Sequence, residues 1–348
     1  MATRFLCLLL LAITLVTPAT AADHVTVAKT LAADVIVPRY EALAKAAEAQ
    51  AEAWKNLCAA PSPAALEAVK SAYHATADAW SAAEIIRYGP VSEDFRAERL
   101  SYWPERKNAT QRGLAQLLKP DSQNNLSPDS IRGASAAVQG LPALERLLFT
   151  DPPADEKAFA GSPDNERRCA VGRAIADNVR ALAEEIRDGW SDPKSGLASQ
   201  LFYAPLADEV VRRLATDVVS GFQIMRDVKL LPVLGPEIAR ANPKLAEGWR
   251  SERSSRALAL NLKTTLVMAE IMLEGQSEEG AAGLYNVRQA LRVAEGLPPL
   301  FGPMAADRKE RPQLILLFDA LGFSRDRLLI EVPAALGIAM GFNSLDGD

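Results

Sequence analysis

The sequence predicts an all-α protein of two packed helical bundles, four-helix-bundle in type. Three observations predict it. Apolar residues recur at a spacing near 3.6 along almost the whole chain. Ala and Leu dominate while aromatics make up only 6%, which favours helix over sheet. No alternating strand ladder or hairpin turn breaks the pattern. The 348 residues suggest two units of about 150 residues each. An apolar fraction of 49% is enough to give both a core.

The chain opens with Arg4, an apolar run from Phe5 to Val16, and then Thr17-Pro18-Ala19-Thr20-Ala21. A basic start, a short apolar core and small residues before the cut predict a secretory signal peptide over 1–21. Cleavage is expected after Ala21. The run is too short to span a bilayer, and Cys7 lacks the small neighbours that a lipoprotein signal needs. Without the leader, Cys58 and Cys169 remain. In an exported chain they most simply form one disulfide, the alternative being two buried thiols. Closing so long a loop would contribute on the order of 3–5 kcal/mol in the chain-entropy account.

The helices follow in order. His24 stands beside the new N-terminus and is expected to be mobile. Tyr40, Leu43, Ala47, Trp54 and Leu57 make the first stripe, with Pro38 starting or kinking the helix. Ser62-Pro63 is a cap and first-turn pair, opening a helix through Leu66, Val69, Tyr73, Ala77 and Trp80 that ends by Gly89-Pro90. Ser127-Pro128 opens another through Ile131, Ala134, Val138, Leu141 and Leu148. Five more stripes begin at Ile175, Val210, Leu258, Leu284 and Leu328. Loops at 151–163 and 191–205 are rich in Pro, Gly, Ser and Asp. The second divides an N-terminal bundle, 22–190, from a C-terminal bundle, 191–348. Gly140-Leu-Pro-Ala-Leu is echoed by Gly296-Leu-Pro-Pro-Leu, as an internal duplication would give.

Charge excludes several functions. The net charge is −5, and loss of Arg4 takes it to −6, with no block of like charge. Nucleic acid and anionic membrane surfaces are therefore poor partners. With only two histidines, a three-histidine zinc site is impossible, and HExxH is absent. Neither a glycine-rich phosphate loop nor a dinucleotide fingerprint occurs.

A few charged residues lie on apolar stripes. Glu84 and Arg87 continue the line of Tyr73, Ala77 and Trp80, three residues apart, either as a structural pair or as part of a site. Glu145 follows Leu141 by four and precedes Leu148. A carboxylate aimed at the core must be paired, protonated or metal-bound. Gly140 and Pro142 interrupt that helix, and Pro142 leaves the Val138 carbonyl without its intrahelical donor. His74 with Asp78 one turn later reads as a ligand with its carboxylate, or as a surface pair. Ser251 and Ser254 have no histidine base and are expected to cap the next helix.

Several segments, in order, resemble the imelysin-like family of exported bacterial proteins along nearly the whole mature chain. They are Val37-Pro38-Arg39-Tyr40, Leu57-Cys58, Trp80, Arg87-Tyr88-Gly89-Pro90 and Trp103-Pro104-Glu105-Arg106-Lys107-Asn108. Then come Gly140 to Glu145, Arg168-Cys169-Ala170, Trp249-Arg250-Ser251-Glu252-Arg253-Ser254 and the closing Gly341–Asp348. The resemblance implies two bundles with a cleft between them, a periplasmic location and an association with iron acquisition. Its motif is Gly-x-His-x-x-Glu. Here Gly140 and Glu145 match, and Pro142 stands where the histidine would be, so this chain resembles the branch with Gly-Leu-Pro-Ala-Leu-Glu. Proline cannot ligate, and a lone Glu145 offers hard oxygen suited to ferric iron or calcium.

The expected function is an accessory or binding protein for a small anionic or metal ligand, with iron the most plausible metal. An unidentified periplasmic partner protein is the other expected contact. Glu84, Arg87, Trp103, Arg106, Glu145, Arg250, Ser251 and Arg253 would line the cleft. The competing readings are a metallopeptidase and a docking protein with a vestigial cleft. The former needs a ligand set and a general base that the sequence does not supply.

Overall fold

The computed structural model describes residues 23–119, 126–150 and 152–339. The expected leader and the closing Gly341–Asp348 lie outside them. Among the described residues there is no strand, and no helix is long and apolar enough to cross a membrane.

The first helix is α1 (His24–Thr30), a π-helical turn (Leu31–Ile36) and α2 (Val37–Ala59) in succession. Asp23 caps it by accepting the Val25 N–H at 3.1 Å. Pro38 neither stops nor opens this helix, because the wider π turn ahead of it absorbs the ring and the missing N–H. The same device recurs in α9 (Ala204–Gln223), a π turn (Ile224–Leu230) and α10 (Leu231–Leu234), where Pro232 follows the π turn.

As expected, Ser62 caps α3 (Pro63–Ala83), its Oγ accepting the Ala65 N–H at 3.2 Å. Then come α4 (Arg96–Leu100), α5 (Ala109–Leu117), α6 (Pro128–Arg132), α7 (Leu141–Leu148) and α8 (Pro163–Ser191). After α10 come α11 (Ser254–Met272), α12 (Ala282–Glu295) and α13 (Arg311–Leu336). α2 packs on both α3 and α8, while α9, α11, α12 and α13 pack on one another. The two groups meet where α11 lies on α3, and α1 packs against α9 rather than against the helices that α2 meets. Cys58 on α2 and Cys169 on α8 form the disulfide, with 5.6 Å between their Cα atoms. Beside it Trp54 is fully buried, its ring 5.7 Å from that of Phe159. Truncating such a ring typically costs about 3–5 kcal/mol.

Three expectations are corrected here. The single helix expected from Ser127 to Leu148 is three pieces: α6, a 3-10 turn (Ala136–Val138) and α7. Gly140 caps α7 and lies so close to the end of α4 that a Cβ there would meet the Leu100 carbonyl oxygen at 2.1 Å. Pro142 thus sits in a first turn, where its missing N–H costs nothing, and the interruption expected at Gly140 and Pro142 is the start of a new helix. Gly296, by contrast, ends α12, so the two echoed segments occupy opposite ends of their helices. His24 is not loose: Nδ1 lies 2.7 Å from Asp208 and Nε2 lies 2.7 Å from the Leu336 carbonyl.

Candidate functional site

The start of α7 faces the loop at 101–108 and the loop at 243–253 across a cleft of about 310 Å³. Behind it lies an inner cavity of about 50 Å³, and Trp103, Pro142, Glu145 and Gly248 border both spaces. Gly140 and Pro142 fix the direction in which α7 leaves, and one turn on, Glu145 points inward at 6% exposure. Gly248, at a φ of +61°, permits the tight loop opposite, which closes with the Arg253 N–H donating to the Gly248 carbonyl at 3.0 Å.

Glu145 is held by that loop. Its Oε1 accepts the Ser251 hydroxyl at 2.6 Å and the Ser251 backbone N–H at 3.1 Å. Ser251 therefore does not cap α11, and neither does Ser254, whose hydroxyl accepts the Phe301 N–H at 3.2 Å. A hydrogen bond to a charged group is worth about 1.5–3 kcal/mol, enough to hold a buried carboxylate against the cost of burial.

Glu84 has a different partner from the one expected. α3 ends at Ala83, so Glu84 and Arg87 do not share a helical face. Glu84 instead accepts Lys229 at 2.6 Å and Asn261 at 3.1 Å, and Glu247 meets the same Lys229 at 2.6 Å. Burial pushes the Lys229 ammonium down, but the Glu247 and Glu84 carboxylates outweigh it and hold its pKa above the usual lysine range. Burial, with Glu84 close by, pushes Glu247 up to about 7. Arg87 lies elsewhere: its guanidinium meets Glu98 at 3.2 Å and its N–H donates to Asp217 at 2.8 Å.

The mouth of the cleft is cationic and aromatic. The Arg250 guanidinium lies 4.2 Å from the centre of the Trp249 ring and the Lys244 ammonium 5.2 Å from it. Neither cation forms an ion pair among the described residues. Burial and the neighbouring Arg146 push Arg250 below the usual arginine range. Arg146 itself is committed to Glu105 at 2.5 Å.

Of the expected cleft residues, the structure gathers Trp103, Glu145 and Arg250 on the cleft wall, with Ser251 directly behind Glu145. Arg253 borders the inner cavity and is bound to Asp78. Glu84 is in the buried acid nest, Arg87 faces Glu98, and Arg106 is exposed outside the lining. Asp78 is taken by Arg253 and Arg256, not by His74, whose ring lies 5.9 Å from Tyr73 and 5.2 Å from Phe149. Burial, aided by Arg253, pushes the His74 pKa down. The sequence reading missed Lys229, Glu247 and Asn261. Lys229 sits in a π turn, which shifts its register and hides it from a 3.6-residue period.

The model of the imelysin family, which is also peptidase family M75, matches residues 36–288. The chain belongs to the imelysin family. Two solved structures share the fold. An imelysin-like protein from Psychrobacter arcticum 273-4 has a TM-score of 0.73 at 19% identity, covering 92% of this chain and 97% of its own. A protein provisionally named iron-regulated protein A precursor, from Parabacteroides distasonis ATCC 8503, has a TM-score of 0.69 at 15% identity, covering 90% and 97%. Comparison with curated proteins gives no match.

The donor set does not fit a resident metal ion. Among the described residues no three His, Cys, Asp or Glu side chains are grouped to hold one. Glu145 spends Oε1 on Ser251, and the nearby pair of acids, Glu84 and Glu247, already encloses the ammonium of Lys229.

Proposed function

We propose that this imelysin-family chain is an exported binding protein for a negatively charged ligand, foremost ferric iron already wrapped in an oxygen-donor chelator, and that it cleaves no peptides. The observation that carries this reading is the division of charge in the cleft. Lys229 is paired with both inner acids, while Arg250 and Lys244 at the mouth form no ion pair among the described residues. Cations at the mouth favour an anion, and iron arriving with its own donors needs none from Glu145. The iron-regulated name of one structural relative and the iron association that the resemblance implies support the cargo. The leader pattern and the disulfide support a periplasmic location.

The test is calorimetric titration of the mature protein with ferric citrate, citrate and bare zinc or ferrous ion, repeated with Arg250→Gln and Glu145→Ala. Ferric citrate and citrate are expected to bind, at least tenfold more weakly to Arg250→Gln. Stoichiometric binding of a bare ion that is lost in Glu145→Ala would overturn the reading, as would metal-dependent hydrolysis of a peptide library. One observation favours a docking role instead. α13 leaves Leu316, Phe323 and Ile330 exposed at seven-residue spacing, on one line facing away from the core. That line is the surface to examine if no anion binds.

A further inference from the structure

The walls of the cleft are flatter and more apolar than a simple anion site needs. Tyr102, Trp103 and Trp249 line it together with Pro104, Pro142 and Pro232. Aromatic and proline rings present rigid faces that lose little rotamer freedom when a ligand is bound. The ring pairs among the described residues involve Trp54, Tyr73, His74, Phe149 and Phe159. Tyr102, Trp103 and Trp249 have no ring partner among them; Trp249 instead carries Arg250 and Lys244, and Trp103 has Lys229 5.8 Å from its centre. Cavities of about 150 Å³ hold benzene, so a cleft of about 310 Å³ has room for one or two rings. The cleft is also polarised: Arg250 and Lys244 stand at the mouth, and Glu145 is the acceptor on the inner wall.

Resting on the anion reading above, we infer that the ligand's recognised part is a planar aromatic hydroxy acid. Its carboxylate lies at Arg250 and Lys244, its ring against Trp103 and the proline walls, and a ring hydroxyl donates to Glu145. A saturated polycarboxylate would use the cations and leave the flat walls wet, whereas a ring covers both. Burying the two faces of such a ring adds a hydrophobic contribution that a saturated polycarboxylate lacks. The inner carboxylate repels a second negative group and accepts from a hydroxyl, which orients the ring. Adjacent hydroxyls on such a ring chelate ferric iron only after losing their protons, so the hydroxyl that donates to Glu145 belongs to the metal-free acid.

The experiment is a titration of the mature protein, followed by tryptophan fluorescence and calorimetry, with four probes. These are 3,4-dihydroxybenzoate, benzoate, cyclohexanecarboxylate and citrate, with ferric citrate as the reference. 3,4-Dihydroxybenzoate is expected to bind at least tenfold more tightly than cyclohexanecarboxylate, with benzoate between them. Tyr102→Leu should shrink the preference for flat over saturated rings. Trp103→Leu should do the same, and since Trp103 lies 5.8 Å from Lys229, Tyr102→Leu guards against a folding defect there. Glu145→Ala should erase the preference for the hydroxylated ring over benzoate. Equal affinity for the flat and saturated acids, with ferric citrate still bound, would overturn this inference and leave the anion reading intact. Failure of every carboxylate and of ferric citrate would overturn both.

Discussion

At the inner end of the cleft region, Lys229 meets Glu84 and Glu247 at 2.6 Å each, and Asn261 completes the nest at 3.1 Å from Glu84. At the mouth, Arg250 and Lys244 rest on one tryptophan, and neither has an ion-pair partner among the described residues. Both regions hold lysine or arginine beside aromatic rings, but only the inner one pairs its cation with carboxylates of the protein. Buried charge without a partner is costly, so the nest must be satisfied for the chain to fold. Charge at a half-exposed mouth carries no such demand and can be kept for a ligand. The contrast separates charge that serves the fold from charge available to the site.

Removing the cation of the nest should show the largest effect. Lys229→Met leaves two buried acids facing each other and is expected to cost about 3–5 kcal/mol at pH 8. Glu247 already has a pKa raised to about 7, and without Lys229 it rises further. A raised acid is best tolerated below its folded pKa and loses stability as pH rises through it, so the variant should recover toward pH 5. Urea unfolding at both pH values measures this, and a loss below about 1 kcal/mol at pH 8 would mean that the nest is not structural.

Ser251→Ala tests the carboxylate between the two regions. Glu145 keeps one backbone donor and loses the hydroxyl, for an expected cost of about 1.5–3 kcal/mol. Adding Glu145→Gln should reduce that cost, and simple additivity of the two changes would dissolve the coupling.

Asp217 is a buried acid with no ion pair among the described residues, held by the N–H groups of Arg87 and Tyr88 at 2.8 and 3.0 Å, with the Arg87 and Arg213 charges farther off. Burial pushes it up to about 7 although those donors pull the other way. Its contribution to stability therefore falls as pH rises from about 4 toward 7. Asp217→Asn should flatten that slope and gain about 2–3 kcal/mol at pH 8 relative to pH 5. A variant whose pH profile runs parallel to the unmodified protein would refute the assignment.

The smallest effect is expected at the mouth. Arg250→Gln should leave stability within about 0.5 kcal/mol, measured by thermal unfolding without ligand. A larger loss would place Arg250 with the structural charges and erase the contrast.

Much of this was legible in the sequence, for physical reasons. Tyr40, Leu43, Ala47, Trp54 and Leu57 are buried as their spacing required, and Ser62 caps α3 as a serine before proline should. Glu145 was readable because an acid on an apolar stripe is an anomaly that needs a partner. Its partner, Ser251, was not, because a contact across 106 residues leaves no periodic trace. Glu84 was readable as buried, yet pairing it with Arg87 assumed a helix that stops at Ala83. Lys229 was hidden by its π turn; Gly140 was readable as a break, but its packing contact with the Leu100 carbonyl is one that only the fold creates.

The first helix has a consequence for the order of assembly. Its opening residues are made first, yet His24 is bound to Asp208 and to Leu336, 184 and 312 positions later. Val27, Ala28 and Leu31 are buried in the finished protein, and until those later helices exist the helix has no groove in which to lie. Ring closure over so many residues is slow compared with local helix formation. The start of this helix therefore docks only once those later helices stand, as a clasp fastened last.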